Sequence, residues 1–141
     1  MTLSDLPEHD VVNVGMLLAI IDSWDNTETF DVRLDGELIF SHRWQLASGD
    51  SSSYQAPENA LLSSGSPLGF GSGDAFDRDR AYDLTNEPSL NGIPHTSDSL
   101  TLEFVIGSTT PGVAAENWEG GNNESWAIDN LTVSVLSLIH I

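Results

Sequence analysis

Apolar residues along this chain gather in short runs separated by stretches of Ser, Gly, Pro, Asn and Asp, and within the runs they recur at every second position. Over residues 11–21, Val12, Val14, Met16, Leu18 and Ile20 fall on one face while Val11, Leu17, Ala19 and Ile21 fall on the other. That two-sided pattern predicts a central strand; the β-branched pairs and Gly15 favour strand over the helical turn that Met-Leu-Leu-Ala-Ile could otherwise form. Residues 29–34 and 37–44 alternate in turn, with Phe30, Val32 and Leu34 set against Asp31 and Arg33, and Leu38 and Phe40 against Ile39 and Ser41. Asp35-Gly36 between them is a strong hairpin signal, so one face of this pair should be buried and the other wet.

Residues 45–79 lose this periodicity and fill with Ser, Gly, Pro and Asp. Connections of such length inside a domain tend to carry function, which makes this segment the expected ligand face. Further strands are predicted over residues 81–84, 99–106 and 126–135, and no stretch combines a helical period with capping residues. The pattern predicts an all-β protein, a two-sheet antiparallel sandwich.

Two tryptophan motifs organise the chain. Ile20-Ile21-Asp22-Ser23-Trp24-Asp25-Asn26 ends the first long strand, and Glu124-Ser125-Trp126-Ala127-Ile128-Asp129-Asn130 opens the last. Each sets a Trp among carboxylates at the end of an apolar run, and the two are expected to meet in one structural corner.

Composition narrows the partners. With 22 acids, four arginines and no lysine, the formal charge is −18, which repels nucleic acid and anionic lipid and attracts cations. The longest apolar run, residues 16–21, falls far short of the roughly 20 residues of a membrane span. Without cysteine no disulfide can staple the fold, and small modules in that position often use a metal. The chain length fits a single module over residues 1–135, expected to be cut short at both ends. Leu136-Ser137-Leu138-Ile139-His140-Ile141 matches the translation of a transposon mosaic-end adapter, so residues 136–141 are read as an appended tail and His140 is left out of the site arguments.

Catalytic motifs are missing: there is no Gly-x-Ser-x-Gly, no His-Glu-x-x-His and no P-loop. Glu103 is the acid best placed by alternation for a glycosidase-like pair, while His9, His42 and His95 are expected to anchor loops. Calcium suits the chain better, because it takes six to eight oxygen ligands and three clusters can supply them: Asp22 with Asp25 and Asn26, Asp74 with Asp77 and Asp79, and the stretch 116–130. Asp22, Asp25 and Asp129 are the candidate ligands of a structural Ca²⁺; Asp129, predicted to be buried between Ile128 and Leu131, needs either a cation or several backbone N–H donors beside it. Trp118, in a Gly/Asn loop, together with Asp74 and Asp77, is the expected ligand-binding set.

The Leu6-Pro7-Glu8-His9 lead-in, Ile21-Asp22-Ser23-Trp24-Asp25, the Asp-Gly hairpin, residues 94–104 and the closing Ser-Trp-x-Ile-Asp-Asn block together resemble a jelly-roll module of bacterial secreted and surface proteins. That module is distantly similar to MAM and laminin-G domains of the concanavalin A-like class. The resemblance implies a non-catalytic, extracellular or cell-surface module of a larger bacterial protein, used for adhesion or for glycan or peptide recognition, often with structural Ca²⁺ at the acid corresponding to Asp129. Two departures stand out: the strand that usually precedes the Leu-Pro-x-His segment is missing, and Ala127 replaces a customary Gly. A hydrolase on the same fold and an architectural spacer are the alternatives.

Overall fold

The computed structural model describes residues 1–46, 52–65, 68, 79–110, 115, 118–120 and 124–138. Within them the chain forms nine strands: β1 (Thr2–Leu3), β2 (Val11–Asp22), β3 (Glu28–Leu34), β4 (Glu37–Arg43), β5 (Leu61–Ser64), β6 (Arg80–Asp83), β7 (Ile93–Pro94), β8 (Leu100–Ser108) and β9 (Glu124–Leu136). A single turn of 3₁₀ helix, Pro88–Leu90, interrupts the series. One antiparallel sheet runs β1-β8-β3-β4; the other runs β5-β6-β2-β7, with β9 along the opposite side of β2. The protein is an all-β, two-sheet sandwich. No helix among the described residues is long and apolar enough to cross a membrane.

The core is made where the alternating faces meet. Val12, Val14, Met16, Leu18 and Ile20 of β2 are buried against Phe30, Val32 and Leu34 of β3, Phe40 of β4, and Leu100 and Leu102 of β8. Trp24 and Trp44 close one end of this layer; both have no exposed surface, and their rings meet edge to face at 6.0 Å. The two tryptophan motifs do come together. Ile20 pairs with Trp126 and Asp22 with Glu124 in the β2–β9 ladder, and the Trp24 indole Nε1 donates to the carbonyl of Ser125 at 2.8 Å.

The hairpin at Asp35-Gly36 forms as its sequence predicts, with φ of 50° and 83°, a geometry that Asp tolerates and Gly adopts freely. One expectation about it fails. Val32 pairs with Phe40 but Arg33 with Leu38, so a β-bulge at Ile39 reverses the alternation and Leu38 points outward, 49% exposed.

A second bulge corrects the reading of the last strand. Gly15 pairs with Thr132 and Leu17 with Asp129, leaving an extra residue on β9 where Asn130 has φ 50°. Ile128 and Leu131 therefore both turn inward although they are three apart, and Asp129 lies exposed on the outer face, its Oδ1 accepting the N–H of Asn130 at 2.7 Å. The last strand also reaches into the predicted tail: Leu136 pairs with Val11, and the Leu138 N–H donates to Asp10 Oδ2 at 2.6 Å.

His9 and His95 stack at 5.0 Å with His9 Nε2 2.7 Å from His95 Nδ1, and they join the lead-in to the hairpin turn through Pro7 O at 2.6 Å and Asp35 Oδ2 at 3.1 Å. Both rings hold loops in place.

Because Trp24 fills the corner and also donates to the half-buried Ser125 carbonyl, Trp24→Phe should cost about 1–3 kcal/mol, from lost volume plus a lost hydrogen bond. Urea unfolding of the two proteins measures this; an unchanged midpoint would show that the indole N–H contributes nothing.

Candidate functional site

Among the described residues, two places where polar side chains cluster bear on function. The first is the end where β2 runs out and β3 and β9 begin. Asp22 takes a left-handed backbone, φ 67°, which ends the strand and swings the chain through Trp24 toward β3. Asp25 in this crossing, Glu28 at the first position of β3 and Glu124 at the first position of β9 each offer a carboxylate oxygen, and these atoms lie within 4.8 Å of one another. Among the described residues this is the group of acids and histidines able to share one ion.

The three differ in surroundings. Asp25 is exposed, whereas Glu28 and Glu124 are 0% and 1% exposed. Glu28 Oε1 accepts the Thr27 hydroxyl at 3.0 Å, while its Oε2 has no hydrogen-bond partner. Glu124 Oε2 accepts the Glu119 N–H at 2.8 Å. Burial pushes the Glu124 carboxyl up to about 7, with the negative charges of Glu28, Asp25 and Glu119 adding to it and the Glu119 N–H working against it.

Of the residues expected to bind a metal, Asp25 belongs to this cluster. Asp22 lies beside it by pairing with Glu124 but is not among the three acids whose oxygens meet; its N–H donates to Asp79 Oδ1 at 2.7 Å, and Asp79, 1% exposed, also accepts the N–H of Leu68. Asp129 is remote, five positions further along β9 and on the outer face. Trp118 is partly buried, edge-on to Trp24 at 5.2 Å. Asp74 and Asp77 lie outside the described residues. Sequence reasoning missed Glu28; the signal available was its position two before Phe30, which puts it on the inward face of β3.

The second place is the outer face of the β8-β3-β4 sheet. A groove of about 720 Å³ runs over Thr29, Asp31, Arg33, Ser41, Arg43 and Gly107. Thr29 pairs with Arg43 on one side and with Gly107 on the other, and Asp31 with Ser41, so register alone assembles this floor. Asp31 is 5% exposed; it accepts the Ser41 hydroxyl at 2.7 Å and stands 4.0 Å from Arg33 Nη2. Gly107 makes room for it, since a Cβ there would run into Asp31 Oδ2 and Thr29 Oγ1. Thr29 Oγ1, Arg33 Nε and Arg43 Nη1 are buried without hydrogen-bond partners. His42, beside the groove, packs against Phe40 and Tyr54, and burial lowers its pKa. Glu103, the acid considered for catalysis, is exposed and faces Arg33 across the ladder rather than a second acid.

The Glu124 shift fixes a pH dependence. Its folded pKa lies above the unfolded 4.5, so the native state holds the proton more tightly and the associated stability is complete below 4.5 and lost as pH rises through about 7. In a chelating buffer the parent should weaken over this window by up to about 1.4 kcal/mol per pH unit, and Glu124→Gln should remove that slope. Urea midpoints between pH 5 and pH 8 provide the measurement; an equal slope in both proteins would contradict it.

Comparison with protein-family models, with curated protein sequences and with solved structures found no match to this chain.

Proposed function

We propose that the chain is a non-catalytic recognition module on a jelly-roll, concanavalin A-like sandwich, serving outside the cell within a larger secreted or surface protein and binding a glycan or peptide. The observation that carries this reading is the outer-face groove, whose floor sets a carboxylate, two guanidinium groups and two hydroxyls side by side on paired strands. A hydroxyl or amide group needs both a donor and an acceptor, and the floor supplies both, with Asp31 beside Ser41 and Arg33 and with Arg43 opposite Thr29. The Arg33 side chain, 42% exposed beside the groove, presents guanidinium donors that favour a ligand carrying acceptor oxygens.

The site is built for hydrogen bonding rather than for stacking. Trp24 and Trp44 lie in the core, and Trp126 packs on Phe30 at 5.0 Å, so none of these rings offers the groove a flat platform. Selectivity then rests on the edges of the ligand. The acidic surface supports the same reading, since −18 of formal charge disfavours phosphate-rich partners and keeps the module dispersed in salt water.

Glycan and peptide arrays probed with the chain test this reading. A specific signal on either array is expected, weakened about tenfold or more by Arg43→Ala, which removes a charged hydrogen-bonding group worth about 1.5–3 kcal/mol. Gly107→Ala should weaken it as well by displacing the Asp31 carboxylate. Silence on both arrays would favour the spacer.

A further inference from the structure

The acidic corner has a problem that the fold alone does not solve. Glu28 and Glu124 are buried to within 1% and lie with Asp25 in a cluster whose oxygens are within 4.8 Å of one another. Carboxylates are costly to bury and more costly to bury together, unless each is neutralised or fully hydrogen-bonded. The donors identified are the Thr27 hydroxyl on Glu28 Oε1 and the Glu119 N–H on Glu124 Oε2. Glu28 Oε2 remains buried and without a partner. Each glutamate is thus oriented through one oxygen by a near neighbour in sequence, the arrangement that holds a ligand side chain ready.

We propose that Asp25, Glu28 and Glu124 form a binding site for a calcium-type divalent cation, and that the unpartnered Glu28 Oε2 is one of its ligand atoms. The donor set consists of oxygen alone, which selects hard cations over zinc or copper. The mixed surroundings favour calcium, which takes six to eight oxygens in flexible geometry, whereas magnesium demands a near-ideal octahedron and gives up its water reluctantly. Asp25 is exposed, so water reaches the ion from that side and can complete a shell of six to eight oxygens.

The site joins parts of the chain that nothing covalent ties together. Asp25 follows β2, Glu28 belongs to the β1-β8-β3-β4 sheet and Glu124 to the opposite one. An ion there clamps the two sheets at one end, in a protein with no cysteine to do so. This inference is independent of the groove and of any ligand in it.

Terbium luminescence tests it directly, because Trp24 adjoins Asp25 in sequence and Trp118 packs on Trp24, placing indole antennae beside the site. In about 0.15 M KCl, which screens diffuse attraction to the acidic surface, Tb³⁺ should give saturable, tryptophan-sensitised emission that Ca²⁺ reverses, and Ca²⁺ should raise the melting temperature. Asp25→Asn and Glu28→Gln should each weaken both effects about tenfold or more, while Asp98→Asn, an exposed acid elsewhere, should leave them unchanged. Emission that does not saturate, or parental affinity in either cluster variant, overturns the assignment. If Glu28→Gln fails to fold, the exposed Asp25→Asn decides alone.

Discussion

The structure depends on the ladder between β2 and β9. It runs from Val11 opposite Leu136 to Asp22 opposite Glu124, joining a strand from near the start of the chain to the last one. A contact of that sequence separation carries a large loop-closure cost, which local turns cannot repay. The repayment comes from what the ladder assembles: the inward face of β2, from Val12 to Ile20, is almost entirely removed from water, and Trp126 and Ile128 extend the same layer. The β3–β4 hairpin and β8 have somewhere to pack because β2 is already fixed between β9 and β6.

The same ladder creates the acidic corner. Strand pairing is set by the apolar faces, and it carries Glu124 to the end of β2 whether or not a carboxylate is welcome there. On β3, alternation inward at Phe30, Val32 and Leu34 puts Glu28 on the inside for the same reason. Glu28 and Glu124 are buried as Asp22, Asp31 and Asp79 are, but they also lie together, and that is not a matter of composition. A solvated face would have served for solubility, so their burial calls for a role in the interior.

Much of the architecture was legible in the sequence. The period of two over β2, β3 and β8 and the Asp35-Gly36 turn are local signals with local causes, and they translate directly into strands and a hairpin. The bulges are different: Ile39 and Asn130 give no sign in a period count, yet each reverses a face, and that is why Leu38 turned outward and Asp129 left its expected position. β5 escaped because Leu61 and Leu62 are both exposed on a short edge strand, leaving no alternation to read. The acidic cluster was half legible. Asp25 stood out beside its tryptophan, but Glu28 and Glu124 become neighbours only once both the β3–β8 and β2–β9 registers are known.

The two polar sites share a strand, and that imposes a relation between them. Glu28 and Thr29 are consecutive on β3, so the peptide that points one carboxylate into the acidic corner points the next side chain out to the groove floor. Thr29 is held in turn by Arg43 and Gly107 on its two neighbouring strands. A shift of one residue in the pairing of β3 would exchange the faces, turning Thr29 toward the core and Glu28 to the outer face. The register that keeps a costly carboxylate inside is therefore the one that assembles Asp31, Ser41 and Arg43 on the outside, and restraint at the first residue of β3 is restraint on the edge of the groove.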